Sequence, residues 1–127
     1  ATAYNYVADQ HFSIVSDVDV PTGKHILSFE FTPTGKAEPL KGKGVPARIT
    51  LFVDSEPVGS GDLPVTMPIT IGLAGGVSVG LDAGAPVTTE YAPPFAFTGT
   101  VTRAVYDVSG ERVEDHEAEI RIALARQ

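Results

Sequence analysis

Arg48-Ile49-Thr50-Leu51-Phe52-Val53-Asp54-Ser55-Glu56-Pro57-Val58-Gly59 is the stretch that decides the fold class. Ile49, Leu51 and Val53 recur at every second position, the period of a strand with one buried face. Asp54-Ser55-Glu56 then breaks the apolar pattern and turns the chain back through Val58, so a β-hairpin is predicted.

Working upstream, His25–Phe31 repeats the same period, with Leu27, Phe29 and Phe31 on one face. Pro21-Thr22-Gly23 supplies the turn before it. Tyr4–Val7 and Phe12–Val15 are expected to form two neighbouring strands. Residues 33–47, rich in Pro, Gly and Lys, cannot bury a face and are expected to form a mobile surface loop.

Downstream, Met67, Ile69, Ile71 and Leu73 mark a strand, and Val77 and Val79 a short one. Phe95–Val108 marks a long strand, or a pair bent at Gly99. Short strands at short spacing, with no helical crossover, predict a mainly β chain built as an antiparallel β-sandwich. The tail 113–127 departs from this pattern. Its Ala, Glu, Arg and Leu content, with Asp115 as a cap and acids ahead of bases, favours a short C-terminal helix, although Ile120, Ile122 and Leu124 alternate as a strand would.

With 127 residues and 43% hydrophobic side chains, the chain has the size and apolar content for one folded domain. No apolar run approaches the ~18 residues of a membrane-spanning helix. A net charge of -7 repels phosphate backbones and anionic lipid, so neither nucleic acid nor a membrane is an expected partner. The absence of Cys removes disulfides, thiolate metal sites and thiol nucleophiles, and leaves the compartment unreadable. Residues 1–7 read as a strand already under way rather than as a signal peptide, so the chain is expected to begin inside a larger protein.

Among chemistry-bearing residues, Asp9, Asp17, Asp19, Asp54, Asp62 and Asp82 fall mostly at strand ends, where a carboxylate hydrogen-bonds the turning backbone. Asp82 is the strongest candidate for more, because Gly80, Gly84 and Pro86 fix its loop. One carboxylate still falls far short of the six to eight oxygens that Ca²⁺ takes, and no metal ligand is assigned. His11, His25 and His116 lie on different expected elements and make no zinc triad. Val58-Gly59-Ser60-Gly61-Asp62 is the nearest approach to a nucleophile elbow, but it lies in a hairpin rather than in a strand-to-helix turn. Gly75-Gly76 is no phosphate cradle, since no helix start follows it. Tyr91, Pro93, Pro94, Phe95 and Phe97 form an aromatic and proline cluster that either stacks on a sugar or seals one end of the sandwich. Phe95 and Phe97 are expected in the core, and Tyr91 is the candidate for contact with a ligand or a neighbouring domain.

Residues 72–101 carry a more specific signal. Val79-Gly80-Leu81-Asp82-Ala83-Gly84 is followed by Pro86-Val87-Thr88, by Tyr91, and by Pro94-Phe95-Ala96-Phe97-Thr98-Gly99-Thr100. This order resembles the C-terminal region of large bacterial arylsulfatases of the sulfatase family. The likeness continues through Gly23-Lys24-His25 to Glu30-Phe31, through Leu51-Phe52-Val53-Asp54 with the return Val58-Gly59, and through Ala118-Glu119-Ile120 to Gln127. It covers essentially the whole chain, with Ser55 standing where the family's turn has Gly.

In that family an N-terminal α/β domain binds calcium and carries a formylglycine made from Cys or Ser in a Cys/Ser-x-Pro-x-Arg signature. The nearest string here, Gly44-Val45-Pro46-Ala47-Arg48, has Gly at the reactive position and so no atom for covalent chemistry. The resemblance therefore implies a non-catalytic accessory domain, a jelly roll similar to concanavalin A-like lectins and lacking its first strands. No cofactor is expected in this chain, whereas the parent uses calcium and formylglycine. The implied partner is the catalytic domain of the same polypeptide. Missing strands would leave open edges, through which the chain could also form homo-oligomers. A lectin-like module for sulfated or glycosidic ligands is the alternative.

Overall fold

The computed structural model describes residues 1–6, 9–68, 78–82, 84 and 86–110. The described chain is mainly β, and all its strand pairs are antiparallel. The hairpin at its centre consists of β4 (Ala47–Val53) and β5 (Glu56–Leu63). Asp54 and Ser55 join them with φ values of 49° and 70°, both left-handed, as a two-residue turn of the I′ kind requires. Leu51 pairs with Gly59 but Phe52 pairs with Pro57, so Val58 is an extra residue and β5 bulges there. On the other side of β4 lies β3 (Leu27–Pro33), in a register that sets Phe29 opposite Leu51 and Phe31 opposite Ile49.

The period of two gives this three-stranded sheet two unlike faces. One carries Arg48, whose guanidinium donates to Asp62 at 2.9 Å and to Ser60 at 2.8 Å. The other carries Leu27, Phe29, Phe31, Ile49, Leu51 and Leu63. Over part of that apolar face lies a second hairpin, β1 (Thr2–Tyr6) and β2 (Gln10–Ile14), with Tyr4 opposite Phe12. Ile14, Ile49, Leu51 and Leu63 are buried together, with Tyr4, Phe12 and Val58 packed against them. Each such side chain contributes about 1.5–3 kcal/mol when fully withdrawn from water.

Two glycines let the hairpin settle so closely. A β-carbon on Gly61 would lie 2.7 Å from Cγ1 of Ile14, and one on Gly59 would lie 2.7 Å from the Val15 carbonyl oxygen. Beyond β2, the Asp17 amide donates to the Val58 carbonyl at 2.6 Å and extends the contact along β5. Further ties come from the side chains: the Tyr4 hydroxyl accepts from the Met67 amide at 2.8 Å, and the Tyr6 hydroxyl donates to the Gly42 carbonyl at 2.5 Å.

The cover stops short of β3. Leu27, Phe29 and Phe31 stay 59%, 59% and 46% exposed, whereas Ile49 and Leu51, beside them on the same face, are buried. Their shared face was expected from the sequence, yet it is open. An apolar cleft of about 160 Å³, walled by Tyr4, Phe12, Ile14, Phe29, Phe31 and Leu63 among others, opens between the hairpin and this strip. Among the described residues no strand pairs with the outer edge of β3.

Other expectations are revised. The stretch 33–47 stays on the surface but is tied down: the Thr34 amide donates to the Pro46 carbonyl, Glu38 bridges Lys43, and Pro39–Lys41 forms a 3₁₀ turn closed by Gly42 at φ 73°. Gly44 is buried and donates to the Thr66 carbonyl at 2.7 Å. Val79 lies in a bend, and the strands of this region are instead β6 (Leu81–Asp82) and β7 (Phe95–Ala96). The long strand expected to run to Val108 stops at Ala96. Residues 97–110 are exposed throughout and meet no strand edge among the described residues, and alternation without a partner edge does not make a strand. The Met67–Leu73 strand falls largely, and the C-terminal helix of 113–127 wholly, outside the described residues.

Candidate functional site

The segment from Gly80 to Phe97 holds the residues singled out for contact. Gly80, at φ 82°, turns the chain into β6, and the Phe97 amide donates back to its carbonyl at 2.8 Å. The antiparallel pairing then sets Asp82 directly opposite Phe95. The loop between β6 and β7 brings Tyr91 over both of them. Its hydroxyl donates to Oδ2 of Asp82 at 2.5 Å and accepts from the Val87 amide at 3.0 Å. The other carboxylate oxygen, Oδ1, accepts from the Gly84 amide at 3.1 Å. The Tyr91 ring leans on that of Phe95, with centroids 5.2 Å apart and planes at 53°.

Asp82 and Tyr91, nine positions apart, are thus joined directly, and both are half-buried. Their polar atoms are engaged by one another and by the loop's own backbone. The Asp82 carboxylate accepting its proton holds the Tyr91 phenol above its ordinary 10.0, against a smaller opposing effect of the Val87 N–H. Chemically the pair is a clamp that fixes the loop. Beside it, Phe95 and Phe97 are 55% and 57% exposed, which overturns their expected place in the core. No second layer reaches them among the described residues. The peptide bond between Pro93 and Pro94 is cis.

Other candidates disperse. Gly44 is buried under residues 66 and 67, where a β-carbon would fall 2.5 Å from the Met67 carbonyl oxygen, and Arg48 belongs to the polar face of β4. Ser60 sits within β5 opposite Thr50, and its hydroxyl accepts from Arg48. The Gly-x-Gly around it serves the close passage of β2. His11, exposed on β2, borders a shallow depression with Thr88, Thr89 and Glu90. His116 lies outside the described residues. No group of three or more His, Cys, Asp or Glu capable of holding a metal occurs among the described residues, and no described helix is long and apolar enough to cross a membrane.

One pair escaped the sequence reading. His25 and Asp54, twenty-nine positions apart, meet at 2.6 Å where the segment before β3 reaches the β4–β5 turn. Their contact depends on strand register, for which no local motif exists. Compared with protein-family models, with curated proteins and with solved structures, the chain matches none.

Proposed function

We propose that this chain is a non-catalytic accessory domain, one layer of a β-sandwich, that packs its open apolar strip against the calcium- and formylglycine-dependent catalytic domain of an arylsulfatase. The observation that carries the reading is the uncovered face of β3, where Leu27, Phe29 and Phe31 stand exposed beside a buried continuation of the same face. A sheet apolar on one side is stable in water when a second layer covers it. Contiguous exposed apolar surface marks a place of contact. The partner is supplied by the resemblance of residues 72–101 to the arylsulfatase C-terminal region. Gly44, at the position of the reactive side chain in the nearest string, offers no atom to oxidise, so hydrolysis belongs to the other domain.

A second reading, a lectin-like module for sulfated or glycosidic ligands, is favoured by the exposure of Phe95 and Phe97 next to Tyr91, since exposed aromatic faces stack on sugar rings. Sulfatase activity and thermal stability of the parent protein, with and without residues 1–127, separate the two. The accessory reading expects loss of folding with no selective effect on substrate affinity. Unchanged stability with weakened affinity would contradict it and favour the lectin.

A further inference from the structure

We infer that the segment before β3 and the β4–β5 turn form a pH-gated clasp, in which the His25 ring ties Asp54 and the Thr22 carbonyl together at once only while it is an imidazolium. Both ring nitrogens face acceptors. Nδ1 lies 2.6 Å from Oδ2 of Asp54, and Nε2 lies 3.1 Å from the Thr22 carbonyl oxygen. A neutral imidazole carries a single N–H and can donate to only one of them. The imidazolium donates to both.

The carboxylate is fixed independently. Its Oδ1 accepts the Ile26 amide at 2.9 Å, and the Asp54 amide donates in return to the Ile26 carbonyl at 2.9 Å. Asp54 thereby bridges a ring and a backbone group across the end of the sheet. It is the charged side chain that faces the ring from the turn; the segment before β3 presents the Thr22 carbonyl. Lys24 and Glu56, the adjoining charges in sequence, make no hydrogen bond with the imidazole.

The two titrations set opposite limits. The Asp54 carboxylate, then the Thr22 carbonyl, hold His25 above its ordinary 6.5. The Ile26 amide, then His25, hold Asp54 below its ordinary 3.8. A raised histidine stabilises the fold fully below 6.5 and loses that contribution as pH climbs through its folded value. A depressed aspartate stabilises above 3.8 and loses its contribution as pH falls through its folded value. The clasp is therefore closed between the folded-state midpoints of Asp54 and His25 and loosens on the alkaline side of the histidine. Loosening leaves Ile26 tied to Asp54 by its two backbone hydrogen bonds alone, next to Leu27, the exposed apolar start of the edge strand. The clasp stands independently of the accessory-domain reading.

The test is a pH titration of the whole chain by NMR, following the His25 ring and the hydrogen-exchange protection of the Ile26 amide, corrected for intrinsic base catalysis. The expected result is a midpoint above 6.5 for His25, with a several-fold drop in Ile26 protection through the same step. In Asp54→Asn, which keeps an acceptor for Ile26, the midpoint should fall toward the ordinary value, the Thr22 carbonyl alone still favouring the imidazolium. In His25→Gln, which cannot titrate, the step in protection should vanish while the strand register stays unchanged. A His25 midpoint at or below the ordinary value, or equal Ile26 protection on both sides of it, overturns the clasp.

Discussion

Gly59 lies so close to Val15 that a β-carbon on the glycine would approach the Val15 carbonyl oxygen to 2.7 Å and the Ser16 Cα to 3.1 Å. Backbone cannot rotate aside as a side chain can. Gly59→Ala should therefore push β2 off β5 and cost about 1–3 kcal/mol of stability, the range of overpacking in a tight contact. Chemical denaturation measures it. Gly61→Ala, which meets the Ile14 side chain at 2.7 Å, should fall toward the lower end of that range, since a side chain can give way where backbone cannot.

Ser55 holds a φ of 70° in the turn between β4 and β5, a conformation that costs an L-residue with a side chain and costs glycine little. Ser55→Gly should raise stability by about 0.5–1 kcal/mol, the loss of chain entropy on folding offsetting part of the relief. Thermal unfolding of the two proteins checks it, and a lower midpoint for the variant would mean that the turn carries no such strain.

Tyr91→Phe removes the hydroxyl that joins the Val87 amide to Asp82 while leaving the ring against Phe95. The loop between β6 and β7 should become more sensitive to limited proteolysis, whereas amide protection in β3, β4 and β5 should stay as it is. Asp82→Asn should have the same effect in weaker form, because an amide oxygen still accepts a proton from Tyr91.

The distance between what the sequence discloses and what the fold does follows from the range of the interactions. Alternation at Ile49, Leu51 and Val53 is local, and it placed the central hairpin correctly; the apolar face of β3 was visible for the same reason. The bulge at Val58 and the meeting of His25 with Asp54 depend on register, a property of two strands together. Gly59 and Gly61 showed as a pattern around a serine, but their purpose appears only when β2 passes over them. Alternation puts Phe95 and Phe97 on one strand face and so points to the core, but the structure leaves them exposed because burial needs an opposing layer. Asp82 and Tyr91 stand nine positions apart, and the folding of one loop brings them together.

The polar face of the central sheet offers a contrasting case. Arg48 and Asp62 form an ion pair at 2.9 Å with both side chains more than half exposed, at 51% and 74%. Replacing Asp62 with Ala should change stability by less than about 1 kcal/mol, since water and salt screen such pairs. Denaturant midpoints in low and high salt should differ little between the two proteins.

The central claim, that the β3 strip is a contact surface, is tested most directly by Phe29→Ser together with Phe31→Ser, introduced both into residues 1–127 alone and into the longer protein proposed as its parent. Calorimetric unfolding should show a small change in the isolated chain, where both rings remain about half exposed, and a larger loss in the parent, where covering each ring contributes about 1.5–3 kcal/mol. Equal losses in the two settings would contradict the account, because the strip would then have no partner to lose.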